Sequence, residues 1–147
     1  MTTILLSPRR LSALAVPLLA LAIAGPPSTT PAPCDAVRQT EQRWLEAEFR
    51  GDTAYLDGLL LPEYRSVSSN GTHDRAAILA AALRHAANHD PVPASLAPDV
   101  AVHGSTAIAT FTRPDTSSSA DVFVLDHGSW RAYYSQHTLL TPPAAPR

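Results

Sequence analysis

The side chains best placed to do chemistry lie near the C-terminal end. There, two strand-like runs, Ala120 to Asp126 and Trp130 to Leu139, flank His127-Gly128. With His127-Gly128 as a two-residue turn, Leu125 pairs with Trp130, Phe123 with Ala132 and Asp121 with Tyr134. Strand side chains alternate with period two, so these pairs share one face, and Gln136 lies one step further along it. On a concave face, this brings an acid, a phenol and an amide together among apolar neighbours. Apolar surroundings raise a carboxyl pKa, and Asp121 could then take a proton next to a carbonyl. The Tyr134 hydroxyl would stabilise the oxyanion formed. In the alternative without chemistry, Asp121 sits in water at a sheet edge, while Tyr134 and Gln136 satisfy each other or the backbone. The opposite face takes Val122, Val124, Arg131, Tyr133, Ser135 and His137. A longer turn would exchange the two faces and put His137 where Gln136 stood.

Other constellations carry less. His85 and His89 are four residues apart on one helical face, but no Glu accompanies them in a zinc-protease pattern. Their place in a last helical turn suits a solvated, dipole-favoured group. His73, His103 and His127 sit in or beside turns, so no metal is expected. Ser117-Ser118-Ser119 lacks the glycines of a nucleophile elbow. There is no phosphate-cradling glycine loop, which argues against a nucleotide cofactor, and no cofactor is expected. Asn70-Gly71-Thr72 is formally a glycosylation sequon, but its tight-turn role explains it.

These residues need a framework, and the patterning supplies one. Asp35 is a plausible N-cap for a helix through Arg50, with Val37, Thr40, Trp44 and Ala47 as its apolar stripe and Leu45 and Phe49 beside it. Gly51 suits a left-handed stop. Asp52 can cap a second helix carrying Tyr55, Leu56, Leu59 and Leu60, ended by Pro62. Tyr64 to Ser68 alternates like a strand, and Asn70-Gly71 marks a turn. Asp74 caps a third helix from Arg75 to about Ala87. Four strands follow: Leu96 to His103, Thr106 to Thr112, and the two of the last hairpin, with Pro114 to Ser119 as a polar loop. Helices gathered on one face of an antiparallel sheet make an α+β domain.

The ends bound the domain. The chain has 147 residues, enough for one domain. Residues 1–24 carry Arg9 and Arg10, an apolar run from Leu11 to Ala24, and a small-x-small close at Ala22-Ile23-Ala24, the pattern of a cleaved signal peptide. The run is short for a membrane span. Secretion or a periplasmic location is therefore expected, with no membrane contact after cleavage. Residues 25–34 form a Pro/Ser/Thr linker containing Cys34 as a free thiol in a loose arm, 35–140 the folded domain, and 141–147 a disordered tail. Two of the 11 basic residues leave with the signal and all 13 acidic ones stay, so the mature domain is more acidic than the whole chain's −2. Every basic residue is Arg. Such a domain gives a phosphate backbone little to hold, which excludes nucleic acid as an expected partner.

Several segments together resemble the nuclear transport factor 2-like superfamily, and within it the domain of unknown function 4440 group, neighbours of the SnoaL-like polyketide cyclases. They are Gln42-Arg43-Trp44 through Arg50-Gly51-Asp52, Leu59-Leu60-Leu61-Pro62-Glu63-Tyr64, and Ser69-Asn70-Gly71 before Asp74-Arg75. Asp121-Val122-Phe123-Val124, Gly128-Ser129-Trp130-Arg131 and Ser135-Gln136-His137-Thr138 complete the set. The resemblance covers nearly all of 35–140. It implies a curved sheet wrapped around the helices as a cone, with a cavity inside, and often a homodimer. The short span from Thr112 to Ala120 departs from the family and suggests clipped middle strands. Trp44, Tyr55 and Tyr64 could line the cavity or simply be core, beside Phe123 and Gln136 or His137. Fold does not fix function. The expected function is binding of a small apolar or amphipathic molecule. One alternative is a cofactor-independent isomerase or lyase, of ketosteroid isomerase or polyketide cyclase type, with Asp121 as base and Tyr134 in support. The other is a dimerisation or assembly domain.

Overall fold

The computed structural model describes residues 31–94, 97–113 and 117–140. The expected signal peptide 1–24, most of the expected linker and the expected tail 141–147 lie outside the described residues. Three helices and six strands follow in the order α1 (Pro33–Arg50), α2 (Thr53–Leu59), β1 (Leu60–Ser68), β2 (Gly71–Asp74), α3 (Arg75–Asn88), β3 (Asp99–His103), β4 (Thr106–Arg113), β5 (Ser117–Asp126) and β6 (Ser129–Leu139). The strands form one sheet in the order β2-β1-β6-β5-β4-β3. This is the expected α+β arrangement, a curved, unclosed sheet with the helices on its inner face.

Five expectations need correction. The sheet is mixed, because β1 joins it beside β6 in parallel while the other neighbours run antiparallel. α1 starts at Pro33, not after an Asp35 cap: its N-cap is Ala32, without a side-chain bond, and proline is well suited to the first turn. Cys34 is therefore part of a helix, half-buried, with its Sγ 3.7 Å from the Val100 carbonyl, rather than in a loose arm. Pro62 does not end α2. It lies within β1, where pairing to β6 is interrupted between Leu60 and Arg65, so its missing N–H breaks no ladder bond. Finally, Ser117 to Ser119 extend β5 rather than forming a loop, pairing with β4 and β6, so the middle strands are not clipped.

The helix signals act as expected. Asp52 accepts a bond from the Tyr55 amide at 3.1 Å, and Asp74 from the Ala77 amide at 2.9 Å. Gly51 closes α1 in the left-handed region with φ 72°. A Cβ at this position would meet the Ala86 Cβ at 2.8 Å, so glycine is needed both for the turn and for the approach of α3 to α1. α1 buries Val37, Trp44 and Ala47 against the sheet. Trp44 meets Tyr64 and Phe123 edge-on, with ring centroids 5.8 and 6.0 Å away.

Candidate functional site

The β5–β6 turn forms as expected. His127 (φ 47°) and Gly128 (φ 81°) both take left-handed conformations, and Leu125 faces Trp130 and Phe123 faces Ala132. One step later the register slips: Val122, not Asp121, faces Tyr134. The extra residue on β6, Tyr133, makes a bulge, and a bulge reverses which side chains point inward beyond it. Asp121 therefore faces Ser135, and Ser119 faces His137.

This corrects the two assignments that depended on an unbroken hairpin. Tyr134 and Gln136 stand on the face opposite Asp121, where the Tyr134 hydroxyl donates to Gln136 Oε1 at 2.8 Å. His137 takes the inner position instead, its Nδ1 2.8 Å from the Ser119 hydroxyl. The exchange of faces considered for a longer turn arises from a bulge within the strand.

On the inner side lies a cavity of about 220 Å³ between α1 and the concave face of the sheet. α1 contributes Glu41, Trp44, Leu45, Glu48 and Phe49, spaced so that one helical face presents all five. β1 brings Tyr64 and Ser66, α3 Ile78 and β4 Phe111. Ser117, Ser119 and Asp121 come from β5, and His137 from β6. The register explains the grouping. One rung across the sheet reads Ala109, Asp121, Ser135, Ser66; the next reads Phe111, Ser119, His137.

Asp121 is 2% exposed. Burial, aided by the negative charge of Glu48, pushes its carboxyl up to about 7, against the opposing pull of hydrogen bonds to Ser135 and Glu41. Its Oδ1 is buried and has no hydrogen-bond partner among the described residues, and the same holds for Trp44 Nε1. Tyr64 donates its hydroxyl to Ser135 Oγ at 2.8 Å, and burial raises its pKa well above the usual phenol value, so it stays a neutral donor. Tyr64, Ser135 and Asp121 are thus linked in a short hydrogen-bonded chain. A carboxyl poised near neutrality can accept a proton from a bound molecule or return one to it.

The remaining expected pocket residues divide. Trp44 and Tyr64 are both core and cavity wall. Phe123 is fully buried core beside Trp44 and does not line the cavity. Tyr55 lies elsewhere, in a shallow surface hollow between α1, α2 and the β5–β6 turn. There Arg43 covers its ring at 4.9 Å, and burial raises its pKa. His85 is not a freely solvated helix end: it stacks on Phe49 with ring centroids 4.4 Å apart, and its Nδ1 lies 2.7 Å from Asp90. Among the described residues no three His, Cys, Asp or Glu side chains gather as a metal site requires.

Sequence reasoning missed Glu41 and Glu48. Their signal was present, seven residues apart and bracketing Trp44-Leu45 on the helix face turned to the sheet. Ser119 and Ser135 had no such signal, because their inward position depends on the bulge.

With this geometry in view, the comparisons define the class of fold. No family model matches the sequence, and no curated protein matches it. Solved structures do. An NTF2-like protein from Cytophaga hutchinsonii is 17% identical, with a TM-score of 0.59, covering 74% of this chain and 99% of its own. A proposed dehydratase of the NTF2-like family from Streptomyces avermitilis is 17% identical with a TM-score of 0.57, covering 74% and 96%. The CaMKII hub of S. rosetta is 22% identical with a TM-score of 0.56, covering 76% and 100%. The chain has the nuclear transport factor 2-like fold.

Proposed function

We propose that this protein binds a small molecule in the cavity under α1 and exchanges a proton with it through Asp121, the chemistry of a cofactor-independent isomerase or lyase. The observation that carries this reading is Asp121 itself: a buried cavity-lining carboxyl held near neutrality, with one oxygen that no donor among the described residues satisfies. Tyr64, through Ser135, takes the supporting place first given to Tyr134. The cavity is smaller than the roughly 300–1,000 Å³ typical of drug-sized ligands, so the molecule is small. That a structural neighbour is a proposed dehydratase is consistent with such chemistry. We also propose that the protein is exported, on the strength of residues 1–24; the mass of the mature product should correspond to a chain beginning at Gly25.

The test is a fragment screen of small carbonyl compounds by ligand-observed NMR in D2O, which reads binding and loss of the α-proton in one sample. The wild type should show both. Asp121→Asn should retain binding and lose exchange. Binding without exchange in the wild type reduces the function to binding alone, and no binding by any fragment overturns the reading.

A second reading, assembly between copies, is favoured by one observation. The sheet face turned away from the helices carries Ile108, 43% exposed, beside the half-buried Val122, Val124 and Tyr134. Sedimentation of the wild type against Ile108→Glu tests it. A dimer lost in the variant supports assembly, and a monomeric wild type removes it.

A further inference from the structure

We infer that the indole N–H of Trp44 holds the carbonyl oxygen of the molecule whose proton Asp121 exchanges, and steadies that oxygen as it gains charge. This rests on the proton-exchange reading of the cavity and supplies a group that reading needs, a donor for the developing oxyanion.

The atom itself is the first argument. Trp44 is 7% exposed and lines the cavity, yet its Nε1–H has no acceptor among the described residues. An indole nitrogen donates and cannot accept, so only an acceptor can satisfy it, and a buried donor left unmet is costly. A carbonyl oxygen entering the cavity is such an acceptor.

The second argument is how the neighbouring hydroxyls are committed. Tyr64 donates to Ser135 Oγ at 2.8 Å, and Ser135 is hydrogen-bonded to Asp121, so the phenol supports the base rather than the substrate. Ser119 is paired with His137 Nδ1 at 2.8 Å. Trp44 and Asp121 line the same cavity and each keeps an unmet buried atom, of opposite kinds: a donor in Nε1 and an acceptor in Oδ1. Removing a proton beside a carbonyl needs both, an acceptor for the proton and a donor where the charge goes.

The third is rigidity. Tyr64 and Phe123 meet the indole edge-on, with ring centroids 5.8 and 6.0 Å away and interplanar angles of 72° and 89°. A donor fixed before the charge forms needs no reorganisation during the reaction, the condition under which such donors act most strongly. The step balances within the pair. Ionised Asp121 takes the proton from the carbon beside the carbonyl, the C–H electron pair becomes a C=C bond, and the carbonyl π pair moves onto the oxygen held by Trp44. Return of that proton, or of a solvent deuteron exchanged at Asp121, restores the ketone.

The chain has two tryptophans, and the other, Trp130, lines the separate hollow beside Tyr55. Two indole N–H signals are therefore expected in the 1H–15N NMR spectrum of the purified protein, assigned through Trp130→Phe. At pH 8, cyclohexanone should move the Trp44 signal downfield and leave that of Trp130 in place. Methylenecyclohexane, of the same shape without the oxygen, should give no such downfield shift. Trp44→Phe, shown to be folded by circular dichroism, should lower α-proton exchange of cyclohexanone in D2O about 100-fold or more. Should that variant not fold, the wild-type shift decides. Exchange without a shift at Trp44, or exchange as fast in a folded Trp44→Phe as in the wild type, overturns the assignment while leaving proton transfer at Asp121 intact. Absence of exchange in the wild type overturns both.

Discussion

On one side of the β6 bulge the inner face of the sheet is dry, and on the other it is polar. Toward the β5–β6 turn, Phe123, Ala132 and Leu60 pack with Trp44 and Leu56, all but Trp44 fully buried. Beyond the bulge lie Asp121, Ser119, Ser135 and Ser66, which are all four of the buried polar side chains among the described residues. The same two strands therefore build a stabilising core at one end and a polar chamber at the other. The core side is organised for close packing, where every methylene counts. The chamber side keeps a carboxyl out of water, an arrangement that costs stability and is common at functional sites.

The sharpest way to break this contrast is on the dry side. Phe123→Ala removes a fully buried ring against Trp44 and should cost about 3–5 kcal/mol in urea unfolding. A cost below about 1 kcal/mol would show that the packed end is not where stability resides.

Next in size is the pH dependence of the polar side. The folded chain holds a proton on Asp121 up to about pH 7, whereas an unfolded chain loses it near 3.8. Across that window the native state binds more protons, so stability falls as pH rises from about 4 to about 7 and then levels off. The loss is on the order of 4 kcal/mol. Asp121→Asn should flatten this slope and be more stable than the wild type at pH 8. A wild type whose stability does not fall across the window would argue against a buried, protonated Asp121.

The smallest effects compare two phenols on opposite faces. Tyr64→Phe removes the donor to buried Ser135 and should cost about 1 kcal/mol. Tyr134→Phe loses a half-buried contact to Gln136 and should stay within about 0.5 kcal/mol, leaving any proton exchange untouched. Equal effects from the two would mean that the bulge does not separate the faces as described.

Much of the architecture was legible. The stripe of Val37, Trp44 and Ala47, the caps at Asp52 and Asp74, the stop at Gly51 and the turn at His127-Gly128 are local signals, and each acts where it was expected. Element edges were less legible. Pro62 looked like a helix terminator, yet it is tolerated in β1 because that stretch leaves its β6 pairing open. Ser117 to Ser119 looked like loop by composition, yet their neighbours on both sides draw them into β5.

The sequence by itself determined the three helices, five of the six strands and that Asp121 stands on a strand among apolar residues, because caps, turns and periodic patterns act over a few residues; β2 (Gly71–Asp74) was expected only as the turn and cap before α3. Tertiary structure alone decided what Asp121 faces. The parallel docking of β1 against β6 and the bulge at Tyr133 turned Ser135 and His137 inward and sent Tyr134 and Gln136 out. Neither leaves a local mark, since Tyr133 and Tyr134 suit a strand equally well and a shift of one residue inverts every side chain beyond it.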